Sequence, residues 1–468
     1  MCTAYGTLGR KQRWKVDGIL AHNMSQDAPG SAPKTGFRFA ATLYFVHLLA
    51  PVVIAGVCAA SWFRWHSNRG AAFGLVLGVL WIAVAFVSWL ASSDRNAFFK
   101  RMRIPLVAFY AILGLLAGAE FVLRLFPQEL YRRLPGTTVV SETDERVKPG
   151  IRTGKTFFRV NNVGLRGPDW HPHDNSYKVV ITGSREAGSE YLDDSQDLGH
   201  LLMADFNARS KGTLWAASAA IGHNTRDHLM VLDTLPVFRR VQMLIFLIGT
   251  ADLQDNLSRE GATTDEDLET SARNYLSWLR TPNTLTRSAL YRFLAPAINP
   301  KLPPEQGWNY DEFLVKYRKL RQQSQIVPLP DLQVGISEYR KGILALSAEC
   351  RKLDLRCLFL TEPTMWRDNL NQREQELLWM GAVGPAESPK GYASISDLAQ
   401  AMSRYNQTLL DTCSRQGLEC YDLAAHVPKD TSAMFDDCEF NESGARLVAS
   451  LLSSYLASHP PALSAVSH

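Results

Sequence analysis

The sequence predicts an α/β protein built on a doubly wound sheet of five parallel strands with a helical insertion, and three observations predict it. Short apolar runs alternate with amphipathic helical patterns through the second half of the chain, as in repeated βα units. The first run, Val179–Ile181, is rich in β-branched residues, which is typical of a strand buried on both faces. The first three runs lead to Gly183, Gly222 and Gly249, at the edge where open parallel sheets bind ligands.

The charge of the chain is unevenly distributed, although its net value is only +4. Residues 1–133 carry 15 Lys and Arg against 5 Asp and Glu, whereas residues 134–468 carry 35 against 41. The basic part is also the most apolar part, a combination that favours a membrane anchor and argues against nucleic acid as a partner. We therefore expect the lipid bilayer to be a partner of residues 1–133.

Three apolar stretches in this region are long enough to span a membrane. Phe39–Phe63 and Ala71–Ser93 contain no Asp, Glu, Lys or Arg, and both exceed the ~20 residues that a spanning helix needs. Ile104–Leu125 is the third candidate, and its Glu120 and Arg124 are four residues apart, so they are expected to pair on one helix face. The sequence therefore predicts three transmembrane helices.

The basic residues of the flanking loops predict the orientation of these helices. The loop between the first two stretches has only Arg64 and Arg69, whereas the segments before the first stretch and after the second are more basic. Basic loops stay in the cytoplasm, so the N-terminus is expected there and the chain beyond about Pro127 in the periplasm, outside the inner (cytoplasmic) membrane. The expected domains are the anchor at 1–133, a connector at 134–176 and a sheet domain at 177–468.

The elements of the sheet domain follow in order. The expected strands are Tyr177–Ser184, Thr213–Ala220, Gln242–Ile248, Leu355–Leu360 and Leu418–Leu423. The expected helices are Asp194–Asn207, Thr225–Val237, Ile336–Lys352, Ser394–Arg415 and Ser443–Ala457. Residues 256–334 are polar and aromatic-rich, with several prolines and no strand pattern, which predicts a largely helical insertion over the carboxyl ends of the strands.

The insertion has aromatic and basic residues of two possible uses. Its Trp278, Tyr291, Trp308 and Tyr310 are able to stack on a sugar or to pack the insertion's own core, and the sequence leaves both open. The basic segment Lys316–Gln323 is expected to form a solvated helix face. No CxxC, HExxH, GxGxxG or Walker A motif occurs, so neither a metal nor a cofactor is expected.

Four of the cysteines are arranged in two similar pairs. Cys350 and Cys357 are seven residues apart, as are Cys413 and Cys420, and each pair joins a predicted helix end to the next strand. In an oxidising compartment each pair is expected to form a local disulfide, with buried free thiols as the alternative. Cys438 is left over.

Four sequence blocks carry the candidate chemistry. They are Gly183-Ser184 with Gly188 after it, Gly222, the run Gly249–Asp252 and the run Asp436–Glu439. In this order and spacing the chain resembles the SGNH (GDSL) hydrolases, which are serine esterases on a flavodoxin-like, doubly wound five-stranded sheet. The resemblance implies that Ser184 is the nucleophile and Asp436 the residue that orients the base. It also implies that the N–H groups of Ser184 and Gly222 belong to the oxyanion hole.

The chain departs from the family at two of these positions. Ala251 replaces the asparagine that completes the oxyanion hole, and Glu439 replaces the histidine base. Losing one oxyanion donor typically costs ~10²–10³ in rate, and the reference pKa of glutamate is about two units below that of histidine. The resemblance covers about Lys155–Ala457, with a weak match at Val160–Gly167.

Two functions follow from the resemblance. The first is a membrane-anchored, extracytoplasmic pseudoenzyme that binds a glycan or assembles with a membrane-protein complex. The alternative is an active serine esterase or O-acyltransferase on an O-acylated extracytoplasmic glycan or lipid, with Glu439 as a carboxylate base for Ser184. No spacing favours His200, His223 or His426 as a substitute base. Ala251 and Glu439 favour the pseudoenzyme.

Overall fold

The computed structural model describes residues 95–125, 133–171, 174–210, 213–220, 224–259, 288–385 and 388–460. Two of the predicted membrane-spanning stretches, Phe39–Phe63 and Ala71–Ser93, lie outside these residues, as do Gly222, His223 and Trp278.

The described elements are numbered here in chain order. The strands are β1 (Thr138–Thr143), β2 (Gly154–Arg159), β3 (Tyr177–Gly183), β4 (Leu214–Ala220), β5 (Met243–Leu247), β6 (Glu305–Gln306), β7 (Arg356–Leu360), β8 (Ala382–Val383), β9 (Gly391–Tyr392) and β10 (Glu419–Tyr421). The helices are α1 (Arg95–Arg124), α2 (Arg185–Gly188), α3 (Leu198–Arg209), α4 (Thr225–Thr234), α5 (Thr250–Ser258), α6 (Ala289–Ile298), α7 (Tyr310–Gln323), α8 (Gln333–Lys352), α9 (Gln372–Gln375), α10 (Ile395–Gln416) and α11 (Glu442–Ser458).

Five parallel strands form the main sheet, in the order β10-β7-β5-β3-β4. Counted along the chain, these strands have the order 2-1-3-4-5, which is the flavodoxin-like order. The predicted doubly wound five-stranded parallel sheet is therefore confirmed. In this order the chain reverses direction across the sheet beside β3, which places the ligand-binding edge at the end of that strand.

Helices cover this sheet and account for the apolar runs in the sequence. Every residue of β5 is buried, as is all of β3 after Tyr177. Helix α3 packs against α11, and α8 packs against α4 and α10. The predicted helices all occur, with ends that differ from the prediction by a few residues.

A second sheet lies in segments where the sequence predicts no strand. Strand β1 pairs antiparallel with β2, both within the predicted connector at 134–176, and parallel with β6 of the predicted insertion. The Gly307 N–H, directly after β6, donates to the Val140 carbonyl at 2.7 Å. The described part of the insertion is otherwise helical, as predicted, through α6 and α7.

The basic segment Lys316–Gln323 is only in part the solvated helix face that the sequence predicts: Lys316, Lys319 and both glutamines are exposed, but its two arginines are not. Arg318 and Arg321 of α7 are both buried. The Arg318 guanidinium donates to the carbonyls of Leu377, Val147 and Phe435, and Arg321 donates to those of Met380 and Ala393. A charged side chain is tolerated in such a place when its donors are satisfied, and here both arginines fasten α7 to the loops around the sheet edge.

Helix α1 includes all but the last residue of the third predicted membrane-spanning stretch, Ile104–Leu125. Its Glu120 and Arg124 form the predicted pair, with Arg124 Nε 2.7 Å from Glu120 Oε1. Within the described ranges, no helix combines the length and the apolar character that crossing a membrane requires.

Both predicted disulfides are present. Cys350–Cys357 joins the end of α8 to β7, and Cys413–Cys420 joins the end of α10 to β10. Cys438 is a free, buried thiol, as the count of cysteines in the sheet domain requires. Each disulfide therefore ties a helix end to the strand that follows it.

Candidate active site

Ser184 follows β3 directly, at the carboxyl edge of the sheet. It is the first residue before the short helix α2 and is half-buried. The turn depends on Gly183, because a Cβ there would lie 2.7 Å from the Leu247 carbonyl oxygen of β5. The sequence predicts the serine at this place, and its hydroxyl forms no hydrogen bond with any described residue.

The backbone N–H of Ser184 is already occupied. It donates to the Glu186 carboxylate at 2.8 Å, and Glu186 is almost fully buried. In a serine esterase this N–H stabilises the oxyanion that forms on the substrate. A carboxyl group in the same position takes the donor away and, when ionised, repels an oxyanion. Glu186 therefore occupies one of the three hydrogen-bond donors of the oxyanion hole that the family resemblance implies.

Of the other two oxyanion positions, only that of Ala251 lies among the described residues. Ala251 lies in the first turn of α5 and has no side-chain donor, as the sequence indicates. The neighbouring N–H of Thr250 donates to the Glu362 carboxylate at 2.7 Å. Gly222 lies outside the described residues. The N–H of Ser184, directly before α2, and the N–H of Thr250, the first residue of α5, are therefore both hydrogen-bonded to buried carboxyl groups.

Glu439, at the position of the family's histidine, is held by the insertion and by the residue next to the serine. The carboxylate is 1% exposed, and its Oε1 accepts from the Tyr310 hydroxyl at 2.7 Å and lies 3.3 Å from Arg185 Nε. The Tyr191 hydroxyl and the other oxygen of Glu439, Oε2, are buried and have no hydrogen-bond partner among the described residues. Burial raises the pKa of Glu439, while Arg185 and Tyr310 oppose that rise. Its ion-pair partner is thus an arginine.

Asp436 organises a loop and does not orient the side chain at position 439. Its Oδ1 accepts from the backbone N–H groups of Cys438 and Glu439, and its Oδ2 accepts from Trp379 Nε1 at 2.9 Å. Burial, together with the nearby carboxylates of Glu439 and Asp437, raises the pKa of Asp436 to about 8. The role that the family resemblance implies for this aspartate is therefore replaced by a backbone-capping role.

Two of the three candidate substitute bases are bound elsewhere. His200 pairs with Asp197 on α3, and the His426 Nδ1 contacts the Asp422 carbonyl. His223 lies outside the described residues. Neither described histidine is bonded to Ser184.

Three acidic groups gather beneath the serine. Suitably placed atoms of Glu186, Glu362 and Cys438 lie within 4.8 Å of one another, and all three residues are buried. Burial raises the pKa of Glu186 well above its usual value and that of Glu362 to about 7, and each is raised further by a neighbouring carboxyl group. Oε1 of Glu362 has no hydrogen-bond partner. The carboxyl groups of Glu186 and Glu362 therefore keep their protons to a higher pH in the folded chain than in the unfolded chain.

This cluster predicts a pH dependence of stability. In the unfolded chain the carboxyl groups of Glu186, Glu362 and Asp436 have pKa values of about 4, so from about pH 4 to pH 8 the unfolded state loses protons that the folded state keeps. The sign is therefore unusual: stability should fall as the pH rises from 5 to 8, since the folded-state values for Glu362 and Asp436 are about 7 and about 8. Thermal unfolding followed by circular dichroism at several pH values measures it.

The matched variants are Glu362→Gln and Glu376→Gln. The first removes a buried acid without changing its shape and should flatten the slope, whereas Glu376 is exposed and its replacement should leave the slope unchanged. A thermal midpoint that stays constant or increases from pH 5 to pH 8 in the wild-type protein would contradict the prediction.

A cavity of about 190 Å³ lies beside this site, between the second sheet and the loop after Ser184. Arg185 and Tyr310, which contact Glu439, form part of its wall, together with Tyr191 and Trp308. Tyr191 and Tyr310 stack with their ring centroids 5.7 Å apart, whereas the Trp308 ring is 65% exposed. Of the insertion's aromatic residues, Tyr310 is thus part of the site, and Trp308, which contacts the rings of Phe313 and Tyr310, lines the cavity while remaining largely exposed.

The charges of the cavity are mostly paired. Arg133, Lys148 and Arg185 form ion pairs with Glu190, Asp311 and Glu439. Glu142 and Glu305 also line the cavity and have no ion-pair partner among the described residues. The charges of the lining alone balance, with three cations and three carboxylates, but the partners Asp311 and Glu439, which do not line the cavity, leave its surroundings with two negative charges in excess, which disfavours an acidic ligand.

Sequence reasoning missed the residues that change the site most. Arg185 and Glu186 directly follow Ser184 in the sequence block that identifies the serine. Their charges are a signal, visible in the sequence, that the surroundings of the serine are altered. Glu362 follows β7, and no motif marked it. Arg166, inside the weakly matching Val160–Gly167, braces the loop after Ser184: its guanidinium donates to the carbonyls of Gly188, Ser189 and Leu192.

Comparison with known proteins gives only a distant structural likeness. No family model matches the chain, and no curated protein matches its sequence. An acetylxylan esterase from Geobacillus stearothermophilus matches with a TM-score of 0.32 and 8% identity, over 61% of this chain and 95% of that one. A lipase/acylhydrolase from Enterococcus faecalis matches with a TM-score of 0.31 and 12% identity, over 60% of this chain and 96% of that one. A GDSL-like lipase from Bacteroides thetaiotaomicron matches with a TM-score of 0.29 and 8% identity, over 60% of this chain and 89% of that one. At these values the likeness lends no weight to any function.

Proposed function

We propose that this protein is a membrane-anchored, extracytoplasmic pseudoenzyme on an SGNH-hydrolase-like sheet, which binds a ligand beside a former esterase site. One observation carries the proposal: the groups that esterase chemistry would need are already bound to other residues. The Ser184 N–H donates to Glu186, and the Glu439 carboxylate is bound by Arg185 and Tyr310. A serine without a base is a poor nucleophile, and without a complete oxyanion hole the charge that its attack creates on the substrate is poorly stabilised.

The anchor and its orientation rest on the sequence of residues 1–133. The three predicted spans, Phe39–Phe63, Ala71–Ser93 and Ile104–Leu125, together with the basic flanks, support a protein of the inner membrane with its sheet domain in the periplasm, because an odd number of spans puts the two ends of the chain on opposite sides. The two disulfides of the sheet domain favour the same side, because such bonds persist in oxidising compartments.

A glycan without acidic groups is the ligand that the cavity suits best. Trp308 offers an exposed ring for the apolar face of a sugar, and the half-buried residues around it supply polar groups. The unpaired Glu142 and Glu305 favour a neutral or basic sugar over a polyuronate. Membrane-protein partners of the same complex would then bind elsewhere on the domain.

Two assays on the purified full-length chain test this function. Hydrolysis of p-nitrophenyl acetate should be equally slow in the wild type and in Ser184→Ala. Binding of N-acetylglucosamine and glucosamine oligomers, measured by calorimetry, should be detectable, whereas polymannuronate should not bind. Trp308→Ala should abolish the binding, and Ile326→Ala, which alters a side chain of similar exposure, should preserve it.

Each assay has a clear opposite outcome. Hydrolysis that Ser184→Ala abolishes would show that Glu439 or an undescribed residue acts as base, and would support the esterase or O-acyltransferase alternative. Tighter binding of polymannuronate than of the neutral oligomers would show that the charge around the cavity does not disfavour acidic ligands.

A further inference from the structure

A short amphipathic helix of the insertion is attached to the end of α1 through one glutamate. The Glu120 carboxylate accepts from the backbone N–H groups of Ala289 and Leu290, at 3.0 and 2.9 Å, and from the Ser288 hydroxyl at 2.8 Å. These are the unpaired donors at the start of α6, so Glu120 caps that helix from outside. The position of α6 beside the last turns of α1 is therefore specified by hydrogen bonds.

The same helix exposes large apolar side chains. Phe293 is 67% exposed and Leu302, just after the helix, is 52% exposed, and Leu294 and Ile298 are also exposed. A folded domain in water normally buries such residues or uses them in an interaction. We call these four side chains the α6 patch.

The apolar surface continues onto α1. Phe121, Val122 and Leu125 are exposed there, in the same turns as the capping Glu120. Arg124 and Lys301 are the neighbouring cations, and both are exposed, as is usual where apolar residues enter a lipid interface. The surface thus extends from the end of the predicted third span, Ile104–Leu125, onto the sheet domain.

We infer that the α6 patch lies in the outer leaflet interface of the bilayer and seats the sheet domain on the membrane. The inference rests on the proposed membrane anchor, because the apolar surface of α6 is continuous with the end of that anchor. A lipid surface suits a helix with aromatic and aliphatic residues on one side and cations at its ends. The Glu120 cap would then keep residues 116–125 and the α6 patch at the same depth.

Site-specific photocrosslinking of the full chain tests this seat. The residue p-benzoyl-phenylalanine is placed at Phe293, at Leu302 or at Phe121, and the protein is reconstituted into vesicles of phosphatidylethanolamine and phosphatidylglycerol. Val315 and Val334 are matched controls, because they lie on α7 and α8 with exposures of 55% and 50%. After irradiation, mass spectrometry identifies phospholipid adducts. We expect several-fold more adduct at Phe293 and Leu302 than at either control, and as much as at Phe121.

The outcomes separate the seat from the anchor. Adducts at Phe121 without adducts at Phe293 and Leu302 would overturn the seat and leave the anchor intact. Crosslinks from Phe293 to a protein would overturn it too and would identify the patch as a protein interface. Phospholipid adducts at none of the three positions would overturn both the seat and the proposed anchor. Equal adducts at all five positions would show non-specific contact and also reject the seat.

Discussion

Three substitutions made together, Glu186→Ala, Ala251→Asn and Glu439→His, should turn a protein with background activity into a Ser184-dependent esterase. Glu439→His supplies an imidazole base at the position where the family resemblance implies one, and Ala251→Asn supplies a side-chain donor at the start of α5. Glu186→Ala releases the Ser184 N–H from the carboxyl group that occupies it. The measurement is turnover of a small acetyl ester by the purified full-length variants.

The double variant Ala251→Asn with Glu439→His is the informative comparison. It restores both residues that the sequence shows to be missing, yet we expect it to remain near background because Glu186 still blocks the Ser184 N–H. Since one oxyanion donor is worth ~10²–10³ in rate, the triple variant should exceed the double by about that factor. Base and oxyanion hole act as a unit, so Glu186→Ala alone should do little.

The control is Ser184→Ala in the triple variant, which should remove the gain. A double variant as active as the triple would show that the Glu186 contact does not limit catalysis. A triple variant that stays inactive although its circular dichroism is native would show that the pocket no longer accepts an ester.

The main sheet could be predicted from the sequence because its signals are local. The apolar run at Val179–Ile181 and the glycine after it specify a buried strand and a sharp turn whatever else surrounds them. The second sheet could not be predicted, because β6 has two residues and exists through its pairing with β1. Pairing between distant segments leaves little pattern in either segment alone.

The candidate site shows the same division. Ser184, Asp436 and Glu439 were located by order and spacing along the chain, and they do lie at the carboxyl edge or in the loop before the last helix. Their hydrogen-bond partners could not be predicted, since Tyr310 comes from an insertion and Glu362 from a loop without a motif. The identity of Glu439 was visible in the sequence, but its pairing with Arg185 required the folded chain.

The ion pair between Arg185 and Glu439 should be the most costly single contact of the site to break. Arg185→Leu leaves the Glu439 carboxylate buried without a cation, which for a buried pair costs about 3–5 kcal/mol. Arg185 is 36% exposed on its side chain, so we expect the lower end, about 3 kcal/mol, in urea unfolding of the full chain. Arg146→Leu is the control: Arg146 pairs with Asp144 at the surface, where solvent screens the ion pair, so the free energy of unfolding should hardly change.

A double variant and the pH dependence distinguish whether the loss of stability in Arg185→Leu comes from its charge or from its packing. Arg185 also lies over the rings of Tyr310 and Trp379, with its guanidinium carbon 5.5 and 4.7 Å from their centroids. If charge dominates, Arg185→Leu with Glu439→Leu should recover most of the lost stability, because no buried carboxylate remains. Without its arginine, Glu439 should titrate at a still higher pH in the folded chain than in the unfolded chain. The loss should therefore be large at pH 8 and shrink toward pH 5, where the carboxyl group is protonated. A loss that is the same at both pH values, and is not recovered by the double substitution, would assign the role of Arg185 to its packing on the two rings.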